Sequence, residues 1–66
     1  MNHKNFGRNL KYILDCLYLN QSELAEKSGL TQAAISQIIN GQREPALETI
    51  CKILSVIPVK FERLVQ

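Results

Sequence analysis

Apolar residues recur along this chain every three or four positions, the spacing of one helix face rather than the alternation of a strand. Phe6, Leu10, Ile13, Leu14 and Leu17 form the first such stripe. They predict a helix over residues 5–18, with Asn5 as its N-cap and Gly7 a weak point in its first turn. At "NQSE" the side chain of Asn20 can cap a second helix while Glu23, three residues on, reaches back to the cap. That helix is predicted over 21–28, and Gly29 stops it. Thr31 caps a third over 32–40, with Ile35, Ile38 and Ile39 on its buried side and Gly41 beyond its end. Pro45 closes the "GQREP" turn. Leu47, Ile50, Cys51, Ile53, Leu54 and Ile57 then mark a strongly apolar helix over 47–57, ended by Pro58. Phe61, Leu64 and Val65 give a short last helix over 61–65. No stretch reads as a strand, repeat or linker. The expected fold is all-α, five helices in a single domain over 1–66.

Composition narrows the function classes. At 66 residues the chain is near the lower limit for one hydrophobic core, and 45% apolar residues with three glycines and two prolines fit a folded unit. No apolar run approaches the roughly 20 residues that span a bilayer, and the start "MNHKNFGRN" has no signal-like apolar stretch. A cytoplasmic protein with no membrane partner is expected. Cys16 and Cys51 form no C-x-x-C pair and fall in helical patterns, so both are expected to be reduced and buried. One histidine, His3, and two cysteines cannot complete a zinc site of about four ligands, so neither metal nor cofactor is expected, and His3 reads as solvated. No paired carboxylates, nucleophile–base pair or phosphate loop suggests an enzyme. A net charge of +2 permits a nucleic-acid partner without arguing for one.

The informative stretch is 21–40, "QSELAEKSGLTQAAISQIIN". Two short capped helices meet across a connection containing Gly29. Ala25 is small enough for close approach, and Ile35 and Ile38 pack back from the second helix, which is what a helix-turn-helix requires. The stretch resembles the phage-repressor-like helix-turn-helix family. Gln21, Leu24, Ala25, Gly29, Leu30, Thr31, Ile35, Ser36, Ile38, Asn40, Gly41, Pro45, Leu47, Thr49, Ile50 and Ile53 carry the resemblance. It runs from the first helix through Leu64.

With its isoleucines turned inward, the third helix leaves Gln32, Ala33, Ser36, Gln37 and Asn40 toward solvent, fit for the major groove. Gln32 and Gln37 can offer amide donor and acceptor to adenine, and Ala33 can touch a thymine methyl. The resemblance implies double-stranded DNA as partner, with Gln21 near a phosphate at a helix N-terminus and Thr31, Asn40, Gln42 and Arg43 as further phosphate-positioning residues. Lys4, Arg8 and Lys11 could add electrostatic reach toward the DNA, but charges on the first helix read more readily as a solvated face. With so few basic residues implicated, a modest salt dependence is expected. Family members usually act as dimers. The homodimer surface expected here is Pro58, Val59, Phe61 and Val65, although Phe61 and Leu64 are also expected to close the core. The implied function is a sequence-specific transcriptional regulator, a repressor of phage, prophage or small-operon type on a palindromic operator. The alternatives are an antitoxin, a restriction–modification controller, or a protein-interaction module that does not bind DNA.

The sequence also departs from the family pattern. Where the family commonly pairs a glutamate with an arginine of the first helix, this chain has Ile39 and Leu14. Exchanging both partners for apolar residues is often neutral or stabilising, whereas losing one strands a charge. Leu14 and Ile39 are therefore predicted to meet in the core. Pro58 replaces a usual glycine, and Lys60 stands where a Ser or Thr cap is normal.

Overall fold

The computed structural model describes residues 3–66, with side chains from residue 5 onward. Five helices follow in order: α1 (His3–Cys16), α2 (Gln21–Ser28), α3 (Gln32–Ile39), α4 (Leu47–Leu54) and α5 (Phe61–Val65). There is no strand among the described residues.

Three helices differ from expectation in their bounds, α3 by one residue, since it ends at Ile39 with Asn40 as its C-cap rather than running to residue 40. The first helix starts at His3, so Asn5 lies inside it rather than capping it, and it ends at Cys16 instead of running to residue 18. There the Leu19 N–H donates to the Leu14 carbonyl (2.9 Å) and the Tyr18 N–H to that of Asp15 (3.2 Å). This closes a Schellman turn in which Tyr18 takes the left-handed conformation, φ 58°. The fourth helix stops at Leu54, three residues early. The Ser55 hydroxyl donates to the Lys52 carbonyl (2.6 Å), and Val56 N–H to Ile53 in a tightened last turn (3.0 Å). Pro58 further disfavours helix at Ile57.

The core gathers one face of each helix: Phe6, Leu10, Ile13 and Leu14 from α1, Leu24 and Ala25 from α2, Ile35 and Ile38 from α3, Ile50 and Ile53 from α4, and Leu64 from α5, joined by Ile57. Each large side chain so buried contributes roughly 1.5–3 kcal/mol before entropic costs. The cysteines do not join it: Cys16 and Cys51 are both exposed and free. At 3.6 residues per turn, Cys51 lies about 100° round the axis from Ile50, off the Ile50–Ile53–Ile57 stripe. Leu47, in the first turn of the same helix, is 76% exposed, and Phe61 is 40% exposed instead of closing the core.

Two sets of contacts hold α1 against the ends of α3 and α5. Gly7 of α1 is buried against the backbone of Ile38 and Ile39, where a Cβ would collide with the Ile38 carbonyl oxygen and come within 2.7 Å of that of Ile39. Asn9 donates through its amide to the carbonyls of Leu64 and Gln66 (3.0 Å each), tying the end of α5 to α1. Lys60 and Ala46, which precede α5 and α4, make no side-chain capping bond.

Candidate nucleic-acid interface

The start of α2 is fixed by reciprocal bonds. The Glu23 N–H donates to the Asn20 side chain (2.7 Å), and the Asn20 N–H to the Glu23 carboxylate (3.1 Å), the capping box expected from "NQSE". Gly29 ends the helix with φ 79° and donates to the Ala25 carbonyl (3.0 Å). A residue with a Cβ would be strained in that conformation, so glycine lets the chain reverse within three residues. The Thr31 hydroxyl then accepts from the Ala34 N–H (3.1 Å) to start α3. Its own proton stays available to donate outward.

The exposed face of α3 follows from its buried one. Ile35 and Ile38 are fully enclosed, while Gln32, Ala33 and Gln37 are exposed and Ser36 is half-buried beside them. Gln32 and Ser36, like Ala33 and Gln37, are four residues apart and so stand on adjoining rows of one surface. With a diameter of about 10–12 Å including side chains, such a helix fits a major groove about 12 Å wide, and its eight residues run about 12 Å along the axis. The row is uncharged, as expected for reading base edges by amide and methyl contacts.

The polar turn beyond α3 is a second Schellman closure. Gln42 N–H donates to the Gln37 carbonyl (2.9 Å) and Gly41 N–H to that of Ile38 (3.1 Å), with Gly41 at φ 75°. Asn40, Gln42 and Arg43 have exposed side chains there, as does Thr31 at the other end of the helix. Gln21 is half-buried at the first turn of α2, on the rim of a cleft of about 190 Å³ that Leu14, Leu19 and Ile39 also line. Leu14 is 2% exposed and belongs to the core. Ile39 packs against the core but is only half-buried, its outer side open to this cleft. The two aliphatics thus face one site, with Ile39 less enclosed than expected.

Arg8 and Lys11, weighed from the sequence between electrostatic reach and a plain solvated face, line an adjoining cleft with Ile39, Asn40 and Gly41. The side chain of Lys4 lies outside the described residues, as does that of His3. Nothing in the sequence pattern pointed to Gly7 as the contact that brings α1 so close to the end of α3. A glycine inside an otherwise regular apolar stripe was the only available signal. At the far end of the chain, Pro58 and Phe61 are exposed, and Val59 and Val65 are half-buried against the core.

Among the described residues there is no group of three or more His, Cys, Asp or Glu side chains that could hold a metal, and no helix is long and apolar enough to cross a membrane.

Two short capped helices with a left-handed glycine between them, the second presenting an uncharged polar row, define a helix-turn-helix module. A helix-turn-helix family profile matches residues 10–64, and the chain belongs to that family, of the phage-repressor type. It is 38% identical over 60 residues to an uncharacterized helix-turn-helix-type transcriptional regulator of Bacillus subtilis, RghRB; the match covers 89% of this chain and 43% of that relative. The chain thus spans less than half the length of this relative. Its fold is similar to that of the restriction–modification controller protein C.AhdI from Aeromonas hydrophila, with a TM-score of 0.88, 27% identity and 94% of each chain covered.

Proposed function

We propose that this protein is a sequence-specific DNA-binding transcriptional regulator, a repressor that acts as a homodimer on a palindromic operator. The observation that carries the reading is the row of exposed Gln32, Ala33 and Gln37 with the half-buried Ser36 beside them, backed by the fully buried Ile35 and Ile38. A helix held so rigidly from behind can present amides to base edges without first ordering itself. Gln32 and Gln37 are assigned to adenine, Ala33 to a thymine methyl and Ser36 to a neighbouring base edge. Gln21, Thr31, Asn40, Gln42 and Arg43 hold the flanking phosphates and fix the register of α3 in the groove. The role is regulatory rather than catalytic, in the cytoplasm.

One such module reads only a few base pairs, so two copies on half-sites about one helical turn apart supply the needed specificity. Pro58, Val59, Phe61 and Val65 are the proposed contact between them. The exposure of Phe61, a large aromatic at the start of α5, supports that assignment.

The test is binding to the DNA upstream of the protein's own gene, with Gln32→Ala and Gln37→Ala beside the wild type. Each substitution is expected to cost about 1–3 kcal/mol on the preferred site and to relax the choice of base at one position. Unchanged specificity in both variants would remove α3 as the reading helix. Absence of binding to any promoter fragment would favour a protein partner instead.

The likeness to C.AhdI supports a second reading, in which the regulated operon encodes a restriction–modification system. Genes for a methyltransferase and an endonuclease beside this one would select it over a phage or prophage repressor.

A further inference from the structure

The helix-turn-helix and the turn after it together carry no net charge. Between residues 20 and 43 the ionisable side chains are Glu23 and Glu26 against Lys27 and Arg43, two of each sign. Duplex DNA is bound largely through neutralised phosphates, and a module with one basic residue in its reading helix and following turn supplies little of that. The attraction must come from another element. The fold brings one to the right place: Gly7 lets α1 cross directly against the carbonyls of Ile38 and Ile39, at the end of α3. The next residue, Arg8, and Lys11 one turn further line a cleft of about 300 Å³ whose other walls are Ile39, Asn40 and Gly41. That cleft adjoins the one on whose rim Gln21 stands, and the two share Lys11 and Ile39.

We propose that Arg8 and Lys11 form a phosphate clamp on α1, continuous with Gln21 on one side and the Asn40–Gly41 turn on the other, that grips the DNA backbone beside the reading helix. Both side chains are exposed, and at i and i+3 they share one face of the helix. Arg8 makes no ion pair among the described residues. Lys11 lies 3.4 Å from the Asp15 carboxylate, an exposed pair on which a phosphate can compete. Asp15 borders the same cleft as Gln21, so it repels the phosphate that Lys11 attracts. The occupant is the sugar–phosphate backbone of duplex DNA because the cleft offers two cations and an amide around the Ile39 side chain, with no row of base-reading groups.

This inference rests on the DNA-binding reading, and the experiment separates their failures. Binding of a random-sequence duplex of about 30 base pairs is followed by fluorescence anisotropy across a range of salt concentrations. The proteins are wild type, Arg8→Ala/Lys11→Ala, Asp15→Asn, and Lys52→Ala as a control for lost charge on α4. The double variant is expected to weaken binding at least tenfold at low salt and to lower the slope of log K against log salt by about two. Lys52→Ala should leave the slope unchanged, and Asp15→Asn should tighten binding severalfold. A double variant with the wild-type slope, or one no weaker than Lys52→Ala, would overturn the clamp while leaving α3 as reader. Wild-type protein with no salt-sensitive binding would overturn both readings. Should the double variant melt early, Asp15→Asn decides alone, since unchanged or weaker binding contradicts the clamp.

Discussion

Gly7 of α1 meets the carbonyl of Ile38 in α3 with no room for a methyl group between them. The contact fixes how far α1 stands from the end of the reading helix, and therefore where Arg8 emerges. In isolation, glycine inside a helix is worth about 1 kcal/mol less than alanine, so propensity alone favours Gly7→Ala. Here the added Cβ would strike backbone that cannot rotate aside. We expect Gly7→Ala to destabilise by about 1–3 kcal/mol net, read as a lower urea midpoint with an unchanged slope. Equal or greater stability would mean that α1 can move off α3 at no cost.

Tyr18 gives the opposite sign. Its φ of 58° closes the turn after α1, while its side chain is 93% exposed and offers the fold almost no burial. A bulky residue in the left-handed region costs roughly 1–2 kcal/mol that glycine avoids. Glycine has its own entropic cost in the unfolded chain, so the expected net gain for Tyr18→Gly is about 0.5–1 kcal/mol. A rise in melting temperature with an unchanged helical spectrum is the result to look for. A fall would show that the exposed ring makes a contact worth more than the strain.

Local signals made most of the fold legible. The capping box at Asn20 and Glu23, the glycine turn and the Thr31 cap are determined within a few residues, and all three stand as the sequence predicts. The stripe of Ile35 and Ile38 fixed the outward row of α3 for the same reason. What escaped depends on neighbours in space. Cys51 and Leu47 lie in an apolar helix, yet whether they meet a neighbour depends on where α2 and α5 pass, and neither side chain is covered. The end of α4 turned on competition between the Ser55 hydroxyl and the helix backbone, which periodicity does not register. The placement of Arg8 and Lys11 beside Asn40 required the α1–α3 crossing, and that hangs on a glycine whose sequence reading was simply weak helix.

The uncapped start of α4 offers a gain at an exposed site. Ala46 has the extended backbone of an N-cap, φ −73° and ψ 160°, but no side-chain acceptor for the free N–H groups of the first turn. Ala46→Asp or Ala46→Ser should supply one and stabilise by about 1 kcal/mol. Either variant should raise the melting temperature by several degrees, a chain of this size being sensitive to such increments. DNA binding offers a second check. Ala46 stands outside the proposed contact surface, so Ala46→Ser should leave affinity unchanged.

Leu14 and Ile39 test how the fold tolerates the loss of an ion pair. Leu14 is buried, so Leu14→Arg alone should place an unpaired charge beside the core and cost about 3 kcal/mol or more. Ile39 is half-buried and opens on the cleft, so Ile39→Glu alone should cost less, about 1 kcal/mol, its carboxylate keeping part of its hydration. The two side chains face the same cleft, and the double variant can form the pair across it without altering the net charge. Its loss should therefore be smaller than the sum of the single losses by at least about 1 kcal/mol. Denaturation of the four proteins measures that coupling directly. Additive losses would show that Leu14 and Ile39 are independent of each other here. Their joint aliphatic character would then be two separate packing choices, not one exchanged pair.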